Sequence, residues 1–435
     1  MHLKQMNVKS KTILLLGFLI LFLHTAYVYA VSEAAVLFLL ISPSPQANGM
    51  GNTYAAAASV DPMASLVNPA YLGYYVQNYN AGFSCSRAGW LPQLVSDMSY
   101  QCASVNSGIT FKDLPISLGL GWHQIYLDLG ENVWTNEMGE ELRRFDSWDK
   151  AHVLSMAGSW NKLINLSAGL NLKWIHSMLA PDWVFVGEQS GAGSAKATAI
   201  DFGVAAKFPI IQSLENISHD PFSAFPHMSF FFTPGMNYSI SNIGKEIEYL
   251  DAAQADPLPR TAQSGIHFET GLNYKNDHLN LNLVSFTWAR EAKDVLIKKN
   301  WDANHEKIET SYQSFLGDID YFNDIIRGKH NANIETKKGW EFSLCETFCI
   351  RRGYYEDIAG QVIYATEGWS LNLLQPFRLC LNAFTRQKSE NVIDFLIKNG
   401  DLNIIYSKYK TETGHPLSKT RFMGVRLQIR NFMEL

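Results

Sequence analysis

The chain has 435 residues, a formal net charge of −5, 47% hydrophobic residues, 13% aromatics and only 18% charged residues. Soluble domains usually carry about 25% charged residues, so this chain is poor in charge, too apolar to be disordered and not basic enough for a general nucleic-acid binder. Its five cysteines are an odd number and show no C-x-x-C metal spacing.

In chain order, Lys4, Lys9 and Lys11 precede an apolar run, Ile13 to Leu23, which leads to Val28-Tyr29-Ala30. A basic region, an apolar core and an A-x-A-like end predict a secretory signal over 1–30. The run is interrupted by His24 and Thr25, short of the roughly 20 apolar residues that a spanning helix needs. No later stretch reaches that length, so any membrane crossing falls to strands.

Residues 31–79 do not alternate. They hold Ser42-Pro43-Ser44-Pro45, Asn48-Gly49-Met50-Gly51, the Ala55–Ala58 run and Asn68-Pro69-Ala70. Gly49 and Gly51 permit tight turns and close backbone approach, and Asn68 before Pro69 favours a turn or a helix start. Such a segment ahead of a barrel predicts a hatch, or plug, with short helices in the lumen. Gly49, Met50, Gly51, Asn68, Pro69 and Ala70 are its candidate gating residues.

From about residue 80 the pattern has a period of two. Ile164, Leu166, Ala168, Leu170, Leu172 and Trp174 alternate with Asn165, Ser167, Gly169, Asn171 and Lys173. Ile200, Phe202 and Val204 oppose Asp201, Gly203 and Ala205, and Ile266, Phe268 and Leu272 oppose Gly265, His267 and Gly271. Period two is a strand with two unlike faces. Here the polar face is mostly Gly, Ser and Asn rather than charge, which fits a barrel with lipid outside. In lipid a sheet must close.

The fold expected over 80–435 is therefore all-β: a transmembrane antiparallel barrel of about 14 strands. Candidate strands lie at 80–87, 98–110, 116–126, 151–160, 163–176, 198–208, 229–241, 262–274, 277–288, 338–351, 359–373, 377–387, 401–410 and 420–434. Connections 127–150, 177–197, 242–261 and 289–337 are long and polar, as outer loops should be. The last is an insertion, with helical stretches expected at 289–299 and 314–326. Two connections fit badly: 209–228 is long for a periplasmic turn and 374–376 is short for an outer loop, so one strand is misplaced. Cys345 and Cys349, on one predicted strand, are about 13 Å apart, too far to bridge. A bridge between Cys85 and Cys102 is left open.

At the pre-barrel run FLLISPSPQANGMGNTYAAAASVDPMASLVNPAYLG the chain resembles the PorV/PorQ family, within the wider FadL-like outer-membrane barrels. Gly-Met-Gly and Asn-Pro-Ala are its most specific pieces. Trp90-Leu91-Pro92, Ser241-Asn242-Ile243-Gly244, Asp256-Pro257-Leu258-Pro259-Arg260 and Arg352-Gly353-Tyr354 continue it along the chain. The resemblance implies a fourteen-strand barrel with an N-terminal hatch in the bacterial outer membrane. It also implies two roles. One is a non-enzymatic subunit of type IX secretion that docks translocon components, attachment proteins and exported cargo domains, with Trp90, Leu91 and Pro92 as outer-loop candidates. The alternative is a channel for hydrophobic small molecules. Outer-membrane lipid is a partner in either case and nucleic acid in neither.

Catalytic patterns do not emerge. His305-Glu306 lacks the second His of HExxH, Gly187 to Lys196 is not spaced as a phosphate loop, and GxSxG does not occur. His123, His152, His267 and His278 fall on strands and read as hydrogen-bonded or wet lumen residues. The acidic loop 127–150 lacks calcium-site spacing and reads as solvated. No catalytic residue, metal site or cofactor is expected.

Overall fold

The computed structural model describes residues 34–430 apart from 112, 182, 187–188, 191–192, 219–226, 250–254, 277–278, 302–307 and 385–391. The expected signal over 1–30, His278, His305-Glu306 and the last residues, 431–435, lie outside the described residues.

Fourteen strands close into one antiparallel barrel. They are β1 (Ala81–Gly89), β2 (Ser99–Thr110), β3 (Ile116–Thr135), β4 (Glu141–Asn161), β5 (Asn165–Ala180), β6 (Gly193–Lys207) and β7 (Met228–Gly244), followed by β8 (Thr261–Lys275), β9 (Asn280–Val295), β10 (Glu335–Leu344), β11 (Phe348–Asp357), β12 (Val362–Asn372), β13 (Gly400–Lys410) and β14 (Arg421–Ile429). Each pairs with its neighbour in sequence, and β14 closes on β1 from Ala81↔Ile429 to Ala88↔Phe422. Closure removes the free edges that lipid would not tolerate. No helix among the described residues is long and apolar enough to cross a membrane.

Alternation sorts the side chains. Along β5, Ser167, Gly169, Asn171 and Lys173 point inward and are buried, while Leu166, Ala168 and Trp174 are exposed outward. The outward set continues around the wall as Phe83, Val105, Leu120, Trp122, Phe202, Phe230, Phe342, Trp369 and Val425. Outward aromatics meet in ladders: Trp122 with Trp174 at 6.0 Å, Phe268 with Trp288 at 5.6 Å and Trp369 with Tyr406 at 5.8 Å. A closed barrel of even strand number with an apolar outer band is the build of bacterial outer-membrane proteins, and the localisation follows from it.

The misplaced strand is resolved. The expected strand at 338–351 is a hairpin, β10 and β11, with Leu344 opposite Phe348 across the turn 345–347. Cys345 and Glu346 adopt positive φ, both +51°. A three-residue turn preserves parity, so Phe342, Leu344, Phe348 and Ile350 read as one uninterrupted face although the chain reverses between them. Residues 377–384 of the expected strand at 377–387 lie instead in a helix, Gln375–Phe384, and 385–387 lie outside the described residues. Phe377, Cys380, Leu381 and Phe384 also satisfy helical spacing, and Pro376 is tolerated in a first helical turn. With this correction 373–399 joins 209–227 as a helix-bearing connection at the end of the barrel where β1 begins.

Other boundaries shift as well. Most of 127–150 is strand rather than loop, because β3 and β4 run on past the apolar band. The insertion carries no helix over 289–299, which forms the end of β9 and one arm of a small hairpin, Ile297–Trp301 with Ile308–Tyr312. Among the described residues its one helical stretch is Tyr321–Arg327, of π type. All five cysteines are free. Cys85 faces outward and Cys102 inward, so the open question of a bridge between them closes in the negative.

Candidate functional site

The segment ahead of β1 fills the lumen. It enters at the loop end, where the Ala35 amide donates to the Pro257 carbonyl at 3.1 Å. It passes through a 3-10 turn (Leu37–Leu40), α1 (Pro45–Gly49), a second 3-10 turn (Pro62–Leu66) and α2 (Tyr71–Asn78), and reaches β1 at the opposite end. Ser44 caps α1 through the Ala47 amide at 3.1 Å, and Asp61 caps the second turn through Met63 at 3.0 Å. Tyr54, Tyr71, Tyr74 and Tyr75 are almost wholly buried. Burial raises the Tyr54 phenol well above its ordinary pKa, and it stays neutral against Ser42 Oγ at 2.7 Å.

Two patches of glycine in the wall receive the plug. Gly339, Gly353 and Gly368, on β10, β11 and β12, lie against the backbone of Gly49-Met50-Gly51, leaving no room for a Cβ at Gly339 or Gly353. Gly51 has φ +69°, and its amide donates to Thr366 Oγ1 at 2.8 Å, while Thr366 Oγ1 donates to the Gly49 carbonyl at 3.0 Å. On the opposite wall, Gly169 and Gly203 are register partners that receive Asn68-Pro69-Ala70. Asn68 Oδ1 accepts from the Ala70 amide at 3.0 Å, its Nδ2 donates to the Tyr238 carbonyl at 3.2 Å, and Ser167 Oγ donates to the Ala70 carbonyl at 2.6 Å. The structure thus brings Gly49–Gly51 and Asn68–Ala70 to two contact lines on opposite walls.

Between these lines a carboxylate holds the chain. Glu291 on β9 is buried and accepts from the Ala55 amide at 2.7 Å, the Tyr54 amide at 3.1 Å and Gln263 Nε2 at 2.9 Å. It stands opposite Lys337, and Lys293 bonds Glu335 at 2.8 Å one step along the same strand pair. Elsewhere Lys173 pairs with Asp201 at 2.8 Å, and Asp201 caps the Asn242 amide at 2.7 Å where a bulge gives Asn242 φ +60°. Asn242 Nδ2 donates to the Pro259 carbonyl at 2.8 Å, so the Ser241–Gly244 and Asp256–Arg260 motifs are joined.

The plug divides the lumen. Toward the loop end is a chamber of about 630 Å³, lined by Leu37, Phe38, Ile41, Leu66, Ile125 and Leu127 and also by Lys173, Lys293, Glu335 and Lys337. Trp90 lines it and its ring lies 6.2 Å from Tyr100; Leu91, at φ +47°, and Pro92 are half-buried beside it. Below the plug a cavity of about 750 Å³ is lined by charged groups including Lys207, Glu269, Glu341, Arg351, Asp401 and Arg430. Outside the wall, an apolar groove of about 950 Å³ runs over Gly158, Ala168, Val204 and Met236, under Leu316 and Tyr321 of the insertion. It overlies the strands against which Asn68-Pro69-Ala70 rests.

Three of the four strand histidines lie among the described residues. His123 is fully buried and meets Ser104 Oγ at 2.8 Å, Ser155 Oγ at 3.0 Å and the plug's Ser65 Oγ at 3.1 Å. His152 points outward and stacks on Trp122 at 5.4 Å. His267 is buried on the lumen face. In the former acidic loop, Arg144 pairs with Glu131 at 2.6 Å and Glu141 at 2.5 Å. Glu291, Thr366 and the wall glycines were not anticipated from sequence. Glu291 fell within the expected insertion helix, and its signal is the continuing alternation of Glu291 and Lys293 beyond Trp288.

No family model and no curated protein matches the chain. Solved structures resemble it at low identity. The Pseudomonas putida toluene transporter TodX is 10% identical over 88% of this chain and 95% of its own, with a TM-score of 0.38. A Pseudomonas aeruginosa FadL homologue is 9% identical over 89% and 98%, also at 0.38. The monoaromatic hydrocarbon channel CymD is 9% identical over 90% and 97%, at 0.35. The fold stands on the strand topology described above, and these likenesses carry no functional weight.

Proposed function

We propose that this outer-membrane barrel passes hydrophobic small molecules, with the plug as its gate. The observation that carries the reading is the loop-end chamber, much of whose apolar lining is supplied by the plug itself through Leu37, Phe38, Ile41, Leu66 and Val67. Pockets that are mostly apolar with a few placed polar groups are the usual seat of small ligands. A molecule held there rests on the segment that runs on into Asn68-Pro69-Ala70, beside a wall made thin by Gly169 and Gly203. The charged cavity below suits an apolar molecule poorly, whereas the outer groove offers it an apolar exit. No bond is made or broken, so the reading is non-enzymatic and needs no cofactor.

A cross-link tests it. A Cβ built at Gly73 lies 3.0 Å from the Ser159 Cβ and 2.2 Å from Ser167 Oγ, so Ser167→Ala makes room and a shift of about 0.5–1 Å brings the pair into the roughly 3.5–4.5 Å of a disulfide. In a chain whose native cysteines are serine and that carries Ser167→Ala, Gly73→Cys with Ser159→Cys should cut uptake of a fluorescent long-chain hydrocarbon by about tenfold when oxidised, a barrier change of about 1.4 kcal/mol, and reductant should restore it. Equal uptake in both states contradicts a moving plug.

The docking role in type IX secretion is the second reading. On its side stand apolar side chains at loop tips beyond the outer band, Leu94 at 65% exposure and Met138 at 86%. It requires the purified protein to capture a translocon component or exported proteins with a sorting domain. Capture of neither removes it.

A further inference from the structure

One flank of the barrel changes character just above its apolar band. On β10 to β14 the outward side chains Trp340, Ile350, Trp369, Tyr406 and Met423 are each followed, one outward position nearer the loops, by Lys338, Arg352, Glu367, Lys408 and Arg421. Arg87 on β1 and Lys410 on β13 extend the set. Arg352, Glu367, Lys408 and Arg421 are consecutive register partners and form one row across four strands. The row has one acid: Glu367 bonds Lys408 at 2.6 Å and also Lys410. Arg87, Lys338, Arg352 and Arg421 are exposed. On β3 to β6 the outward band is Leu120, Trp122, Leu154, Leu172, Trp174 and Phe202, and above it Lys150, His176 and Lys196 are register partners on β4 to β6, a shorter basic row that holds no arginine.

We propose that this row seats the phosphorylated headgroup of an anionic lipid in the loop-side leaflet. The lower edge of the row is continuous with the lipid-facing band, and aromatic side chains directly beneath it sit where membrane interfaces place them. Acyl chains would lie on Trp340, Ile350 and Trp369 while guanidinium groups take phosphate oxygens in paired hydrogen bonds. Cations at the edge of hydrocarbon need a counter-charge, and Glu367 supplies only one. An acidic soluble protein would use the cations but leave the apolar half of the surface to lipid, and free phosphate would use none of it.

The test uses the full folded chain in phosphatidylcholine vesicles alone, with diphosphorylated lipid A, or with dephosphorylated lipid A, and inorganic phosphate in detergent as a separate arm. Bound lipid is counted by native mass spectrometry. Each cation near an anionic surface contributes about a fivefold factor. Retention of phosphorylated lipid A should therefore fall on the order of 100-fold in the combined Arg352→Gln, Lys408→Gln and Arg421→Gln variant. Glu367→Gln frees Lys408 and Lys410 and should raise retention, an outcome that a folding defect cannot mimic. Equal retention of the dephosphorylated lipid, indifference to both variants, equal binding of inorganic phosphate, or capture of an acidic soluble protein by the row without regard to lipid phosphate would each overturn the proposal.

Discussion

Replacing Gly51 with valine should dislodge the plug and leave the barrel standing. Gly51 sits at φ +69°, and a Cβ there would lie 2.5 Å from the Tyr354 amide nitrogen and 2.7 Å from the carbonyl oxygens of Lys338 and Tyr354. A β-branched residue in left-handed backbone is an outlier. Strain of roughly 1–2 kcal/mol adds to overpacking of about 1–3 kcal/mol. The clash is with wall backbone, which the strand ladder holds in place, so the plug must give way. Retreat breaks both hydrogen bonds to Thr366 and lifts Met50 off Gly339 and Gly353. In planar bilayers the variant should conduct several times more than the parent, with plug peptide bonds newly open to protease and the barrel still resistant to detergent denaturation. Parental conductance and protection would show that the Gly-Met-Gly contact does not retain the plug.

Glu291→Ala should have a comparable effect by another route. The substitution strands the Tyr54 and Ala55 amides and Gln263 Nε2 without their acceptor and removes the carboxylate opposite Lys337, which keeps only Glu335 at 3.9 Å. Breaking a buried charged network from one side costs about 3–5 kcal/mol. The expected readout is a separate, earlier unfolding transition of the plug, seen as protease sensitivity of the Tyr54 region at temperatures where the parent is protected. Because Gly51 and Glu291 hold the same segment, their effects should fall short of additive in the double variant. Full additivity would mean that the two contacts hold independent elements.

The barrel was legible because period-two alternation runs through most of each long strand, broken only locally at bulges such as Asn242, and Ile164 to Trp174 shows both faces without structure. The hairpin of β10 and β11 was not legible, since its three-residue turn keeps Leu344 and Phe348 in phase. The helix at 375–384 was missed because Phe377, Leu379 and Leu381 also alternate, and only Pro376 spoke for a helix start. At the site, Gly49 and Gly51 were visible as residues that permit close backbone approach and Asn68 as a turn or helix-start residue, but their partners were not. Gly169, Gly203, Gly339 and Gly353 read as ordinary members of a small polar lumen face. That face is small because backbone docks on it, a contact between residues far apart in sequence that a local pattern does not encode.

The central claim is that the apolar face of this sheet is wetted by hydrocarbon while its small polar face encloses the chain's own N-terminal segment. Tryptophan quenching by brominated phospholipids tests it most directly, because Trp122, Trp160, Trp174 and Trp369 are exposed on the outward face. Reconstituted into such lipids, the parent should lose a large part of its tryptophan emission, and replacing these four together with the outward Trp288 and Trp340 by phenylalanine should remove most of the quenching. Emission that stays unchanged when brominated chains replace ordinary ones would put those rings in a protein interior and contradict the account.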